Sequence, residues 1–172
     1  SLMVGEALDV FIEVAEGLAA AHRAKIIHRD IKPGNIMLSP QIARQGQGPK
    51  SMRVLLVDFG LARLGQNSSQ NSSANVISEE RSRLLQNLTE VGEVFGSPLY
   101  MSPEQTAGTA PVDERSDIYS FGCSLFETLT GRVPFQGRTV METFSLHQNE
   151  KAPSLQETDR EGVYPLELEL AV

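Results

Sequence analysis

The chain has 172 residues, 40% of them hydrophobic, which suits one packed domain. Its net charge of −7 argues against nucleic acid or an anionic membrane as the main partner, since both select clustered Lys and Arg. The single cysteine, Cys123, excludes an internal disulfide framework. No apolar run approaches the ~20 residues of a membrane-spanning helix, and no secretion leader is visible.

In chain order, Val4, Ala7, Leu8, Phe11, Ile12, Ala15, Leu18, Ala19 and His22 recur at helical spacing, predicting an amphipathic helix that ends near Ala24. Ile26 and Ile27 lead into the polar run from His28 to Asn35. Ile36-Met37-Leu38 and Val54-Leu55-Leu56-Val57 are short apolar runs that read as a strand pair. The pair would put Asn35 at the entrance of one strand and Asp58 at the exit of the other. Residues 39–52 between them, rich in Gln, Gly and Pro, read as a surface insertion. Within it, Gly46-Gln47-Gly48-Pro49-Lys50-Ser51 fits neither phosphate-loop spacing and reads as a solvated loop.

A second insertion is expected over residues 64–94. Its middle, Asn67 to Asn75, is a low-complexity Asn/Ser tract with too little apolar surface to order itself. Arg81 to Leu88 is a candidate short helix. Asp117 to Thr130 is apolar on several faces, through Ile118, Phe121, Leu125, Phe126 and Leu129, so it predicts a core helix stopped by Gly131. Cys123 lies on it and reads as an inert buried thiol. Thr139-Val140-Met141-Glu142 fits a capping box, with Met141 and Phe144 packing inward behind it. Pro165 to Leu170 reads as a further helix opening.

The chemistry concentrates in two runs. His28-Arg29-Asp30-Ile31-Lys32-Pro33-Gly34-Asn35 matches H-R-D-x-x-x-x-N, and Asp58-Phe59-Gly60 matches D-F-G. Gly96-Ser97-Pro98-Leu99-Tyr100-Met101-Ser102-Pro103-Glu104 and Ser116-Asp117-Ile118-Tyr119-Ser120-Phe121-Gly122 continue the pattern. On these motifs the chain resembles eukaryotic-like serine/threonine protein kinases, its wording most like the bacterial members. The resemblance implies an α+β, protein-kinase-like fold. Residues 1–172 would be a partial kinase domain, its mainly helical C-terminal lobe, truncated at both ends. Neither a glycine-rich loop nor a V-A-I-K strand is present.

The resemblance further implies the cofactors ATP and Mg2+ and, as partners, proteins phosphorylated on Ser or Thr. Asp30 would orient the acceptor hydroxyl and take its proton. Lys32 would steady the transferred phosphoryl group and bind nucleotide. Asn35 and Asp58 would hold magnesium and, with Lys32, the nucleotide phosphates. His28 and Phe59 would stack, Asp117 would anchor the catalytic loop through backbone N–H groups, and Ser97 would bridge to Asp30 and Lys32. Glu104 would be left without its arginine. Arg29 would pair either with a phosphate on the activation segment, Thr89 being the favoured acceptor, or with a local carboxylate. The implied location is cytoplasmic, with any anchor outside these residues. A kinase-like binding or scaffold module, or an inert gene fragment, is the alternative.

Overall fold

The structure, a computed structural model, describes residues 4–40, 52–59, 98–108, 111–159 and 162–169. The predicted low-complexity insertion, the helix at 81–88, Thr89 and Ser97 lie outside them, as does the Gly46 to Ser51 loop.

Helix α1 spans Val4–Arg23 and buries Ala7, Phe11, Val14 and Leu18. That stripe follows the 3.6-residue repeat but is narrower than the sequence suggests. Ile12 is 58% exposed, and Ala15 and Ala19 also face outward, while Val14 takes their place in the core. Only one stripe of α1 meets other elements, so apolar residues off that stripe stay in solvent. The helix closes as a Schellman motif. Lys25 adopts φ 60°, its N–H reaches the His22 carbonyl at 2.9 Å, and the Ile26 N–H reaches Ala21 at 2.9 Å.

A 3-10 turn at Pro33–Asn35 leads into strand β1, Ile36–Pro40, which pairs antiparallel with β2, Met52–Leu56. The register sets Ile36 opposite Leu56 and Leu38 opposite Val54. Ser39, Pro40 and Met52, read as insertion, therefore belong to the ladder, because β1 and β2 continue pairing past their apolar runs. The hairpin lies on α1. Glu13 accepts the Val54 N–H at 3.0 Å, and a Cβ on Gly17 would sit 3.5 Å from Leu56 Cδ1.

A second 3-10 turn, Pro98–Tyr100, precedes α2, Pro103–Ala107. The long helix α3 spans Glu114–Thr130. Asp113 caps it by accepting the Arg115 N–H at 2.9 Å, and Gly131 ends it in the left-handed region at φ 73°. It starts three residues before the predicted position, because Asp113 supplies the cap. Its buried face is as polar as it is apolar: Ser116, Asp117, Ser120 and Ser124 are buried beside Cys123, Leu125, Phe126 and Leu129. Ser120 and Ser124 satisfy their hydroxyls on the carbonyls four residues back, at 3.0 and 2.8 Å. Ile118 is 57% exposed, against the sequence expectation.

Helix α4, Val140–Asn149, begins with the Glu142 N–H on Thr139 Oγ1 at 3.1 Å. The Glu142 carboxylate accepts from the Arg138 N–H instead of closing the box on Thr139. Phe144 is buried, as expected, but Met141 is half exposed; Thr143 and His147 fill the inward face instead. Two short helices follow, α5 at Leu155–Thr158 and α6 at Leu166–Glu169. Glu169 fastens them together by accepting the Leu155 and Gln156 N–H groups at 3.0 and 2.8 Å.

One core cluster joins Ala7 and Phe11 of α1 to Leu125, Phe126 and Leu129 of α3, with Leu155 and Leu168. A second joins Val14, Leu18 and Ile31, with Ile36, Val54 and Leu56 packed against them. Ile31 is the hydrophobic peg of the polar loop. Fully burying such a side chain contributes about 1.5–3 kcal/mol, and here it fixes the residues on either side of it.

Candidate active site

The site assembles where the His28 loop, the end of β2 and the start of α3 meet. Asp117 is the anchor. Its carboxylate is fully buried and accepts three hydrogen bonds: from the His28 N–H at 2.8 Å, the Arg29 N–H at 2.7 Å and His22 Nε2 at 2.7 Å. Charge-assisted bonds of this kind are strong enough to hold an unfavourable backbone. Arg29 is such a case, a non-glycine residue at φ 69°.

The His28 ring is buried and supports the loop from below. Its Nε2–H donates to the Val57 carbonyl at 3.0 Å, which leaves Nδ1 to accept the Asp30 N–H at 3.4 Å. Burial pushes its pKa below 6.5, against the opposing pull of Asp117, the Val57 carbonyl and Asp30, so the neutral tautomer these contacts need is favoured. Its ring meets Phe59 at a centroid distance of 4.4 Å and a tilt of 44°.

Asp30 Oδ2 receives Lys32 Nζ at 2.8 Å and Asn35 Nδ2 at 2.9 Å. Asn35 Nδ2 also reaches the Asp30 carbonyl at 2.7 Å. Both side-chain donors land on one carboxylate oxygen, and among the described residues none is placed on Oδ1. Among the described residues Asn35 is likewise bonded through its side-chain nitrogen and not through its amide oxygen. Asp30 and Lys32 remain partly open, with side chains 31% and 26% exposed.

The 3.0 Å hydrogen bond from the Val57 N–H to the Asn35 carbonyl ties the exit of β2 to the entrance of β1. Asp58 follows at φ 61° with an exposed side chain. Asn35 and Asp58 are thus joined through one backbone contact, the juxtaposition that the strand pairing predicted. Among the described residues no three His, Cys, Asp or Glu side chains converge as a metal cage. A hard cation held here would need further oxygens from phosphate or water, which is how magnesium is usually bound.

On the far side, Glu104 accepts a hydrogen bond from Ser116 Oγ. Glu104 shows no ion pair to an arginine among the described residues, and the first turn of α3 gives it a hydroxyl donor instead. Burial acts to raise its pKa, but hydrogen bonds from Ser116, its own backbone and Ser102 outweigh that and hold it below the usual carboxylate value. Tyr100 donates to Glu127 Oε2 at 2.5 Å, and Ser120 Oγ donates to the Tyr100 carbonyl at 2.7 Å. Between this wall and the loop lies a shallow recess lined by Arg29, Asp30, Ile31, Tyr100, Met101, Gln105 and Ser120. Cys123 takes no part; burial pushes its thiol up to about 12, as befits an inert residue.

The structure brings Asp30, Lys32, Asn35, Asp58, His28, Phe59 and Asp117 together. Sequence reasoning missed His22, Ser116, Gln105 and Glu127 as parts of this network. His22 carried a signal, since it closed the inward stripe of α1. Gln105 carried another, as the fourth residue of the cap pattern Ser102-Pro103-Glu104-Gln105.

A model of the protein kinase domain matches residues 2–165. Serine/threonine-protein kinase pkn2 of Myxococcus xanthus is 38% identical over 143 residues, which cover 83% of this chain and 14% of that protein. A probable serine/threonine-protein kinase PknB of Corynebacterium glutamicum is 37% identical over 145 residues, 84% of this chain and 18% of its own length. Serine/threonine-protein kinase PknB of Mycobacterium tuberculosis is 35% identical over 144 residues, with 84% and 19% covered. The chain spans less than a fifth of the length of these relatives.

Proposed function

The chain belongs to the protein kinase domain family, and from that premise we propose that it carries the catalytic loop of a serine/threonine protein kinase. The reaction is transfer of the γ-phosphoryl group of ATP to a serine or threonine hydroxyl of a protein. The observation that carries this reading is the Lys32–Asp30–Asn35 cluster, its donors gathered on Asp30 Oδ2. The names of the relatives support the serine/threonine class. The described helices around one small hairpin support assignment to the larger, mainly helical lobe, with residues 1–172 as part of one kinase domain. The cytoplasmic nucleotide pool would serve such a reaction, and no described helix is long and apolar enough to cross a membrane.

Phosphoryl transfer is catalysed mainly by positioning and charge neutralisation. Lys32 and Asn35 hold the Asp30 carboxylate in one orientation. Its Oδ1 accepts the hydrogen bond of the incoming hydroxyl, aligns the oxygen for attack and takes the proton as the bond to phosphorus forms. Lys32 Nζ, beside that oxygen, offers a compact positive charge to the transferred group. The amide oxygen of Asn35 and the exposed carboxylate of Asp58 fit magnesium and the nucleotide phosphates. Bound there, magnesium would neutralise phosphate charge.

The test is a labelled-ATP assay on the full-length protein with a generic basic protein substrate. Asp30→Asn is expected to lower kcat by about 10^3-fold while the thermal midpoint moves by less than about 2 °C. Activity of that variant within threefold of the unaltered protein would overturn the assignment of Asp30.

A further inference from the structure

Asp117 explains only half of how the strained Arg29 peptide is held. The other half comes from α2. Gln105 Nε2 donates to the Arg29 carbonyl at 3.1 Å, across 76 positions of sequence. Its other amide atom faces home: Gln105 Oε1 accepts from the Ser102 N–H at 2.9 Å and from Ser102 Oγ at 3.1 Å. Ser102 is fully buried, so this end of the amide has little freedom. One planar group therefore links the start of α2 to the peptide that precedes Asp30.

We infer that Gln105 is a positioning residue for Asp30, clamping the Arg29–Asp30 peptide from the α2 side while Asp117 clamps the preceding His28–Arg29 peptide from the α3 side. Arg29 sits in the left-handed region at φ 69°, where a bulky side chain does not rest unaided. The His28–Arg29 peptide is fixed through its N–H by Asp117 Oδ1 and the Arg29–Asp30 peptide through its C=O by Gln105 Nε2, so the Arg29 backbone is held on both sides. The Asp30 N–H is the other end of the Arg29–Asp30 peptide and, among the described residues, finds only a long contact with His28 Nδ1, 3.4 Å. The Gln105 bond therefore supplies orientation that His28 does not. Because α2 begins at the Ser102 cap, the position of the preceding chain is transmitted to the Asp30 peptide through one side chain. The role rests on the reading of Asp30 as the base.

The two ends of the amide can be separated by substitution in the full-length protein. Gln105→Glu keeps an acceptor for Ser102 but cannot donate to the Arg29 carbonyl. Gln105→Lys keeps a donor for Arg29 but cannot accept from Ser102. A positioning role predicts that Gln105→Glu lowers kcat about tenfold, leaves KM for ATP within twofold and lowers the thermal midpoint by no more than a few degrees. Hydrogen exchange at the His28–Asp30 amides should accelerate about fivefold in the same variant. Gln105→Lys should lower the midpoint and keep kcat per folded molecule within threefold. If Gln105→Glu retains kcat within twofold, or if Gln105→Lys loses kcat as far as Gln105→Glu, the inference is overturned. Should Gln105→Glu fail to fold, the Gln105→Lys result still decides. Loss of activity in Asp30→Asn, measured alongside, separates failure of this inference from failure of the reading beneath it.

Discussion

Two acidic residues flank the same loop and are held in opposite ways. Asp117 is wholly enclosed and saturated, with three donors on its carboxylate. Asp58 stands on a turn that, among the described residues, its neighbours secure: the Val57 N–H on Asn35, the Val57 carbonyl on His28, and Phe59 against the His28 ring. Its own carboxylate is exposed. The first carboxylate is used by the protein to build the site, and the second is offered outward. Burial and hydrogen-bond saturation separate the two roles where residue type does not.

The sharpest way to break that comparison is to remove each acid in turn. Asp117→Ala would leave the His28 and Arg29 N–H groups and His22 without their acceptor in a dry interior. Stranding several buried donors costs about 3–5 kcal/mol, a large part of the stability of an ordinary domain. Urea denaturation of the full-length protein should show that loss, with activity falling in parallel. A loss below about 1 kcal/mol would mean that water replaces the carboxylate and that the site is less enclosed than its geometry implies.

Asp58→Gly should give the reverse pattern. The residue occupies φ 61°, where glycine has no steric penalty. Stability is expected to hold or to rise by up to about 1 kcal/mol, while kcat falls by about 10^3-fold, near 4 kcal/mol on the barrier. The opposed signs are the test: falling stability with retained turnover would make Asp58 a structural residue. Titration of turnover with magnesium sharpens it further, since loss of an oxygen ligand should raise the magnesium concentration needed by the more conservative Asp58→Asn.

The same contrast explains what the sequence could reveal. Motif spacing singled out Asp30, Lys32, Asn35 and Asp58 for the proposed site, and the strand pair was legible because two apolar runs lie between Asn35 and Asp58. Gly131 and Thr139 announced helix ends through local backbone rules that need no tertiary partner. The misses share one cause. Ile12, Ile118 and Met141 are apolar and helical, and only packing decides which face of a helix meets the core; solvent received all three. Ser116 and Ser124 are buried because their hydroxyls find acceptors, on Glu104 and on the Ser120 carbonyl, a property of the assembled site that no residue type signals. Gln105 reaches a partner 76 positions away, and no periodicity registers such a contact.

The smallest effect concerns the residue between the two acids. His28 is buried neutral, and its Nε2–H serves Val57 while Nδ1 serves the Asp30 N–H. Burial lowers its pKa below 6.5 despite Asp117, the Val57 carbonyl and Asp30, all of which favour the cation. Above pH 6.5 the ring is neutral whether the chain is folded or unfolded, so it adds no pH dependence. As pH falls below 6.5 the unfolded chain binds a proton that the folded chain resists, and stability declines until the folded value is passed. His147, also lowered by burial, adds to the same window. Carboxylates such as Glu104 contribute only further down, near or below about pH 4. Thermal midpoints measured from pH 7.5 to 5 should therefore slope downward below pH 6.5. His28→Gln retains a donor for Val57 and cannot titrate, so it should flatten part of that slope while His147 maintains the rest. An unchanged slope would show that the His28 ring accepts the proton in place, with Asp117 and Asp30 near enough to compensate for its burial.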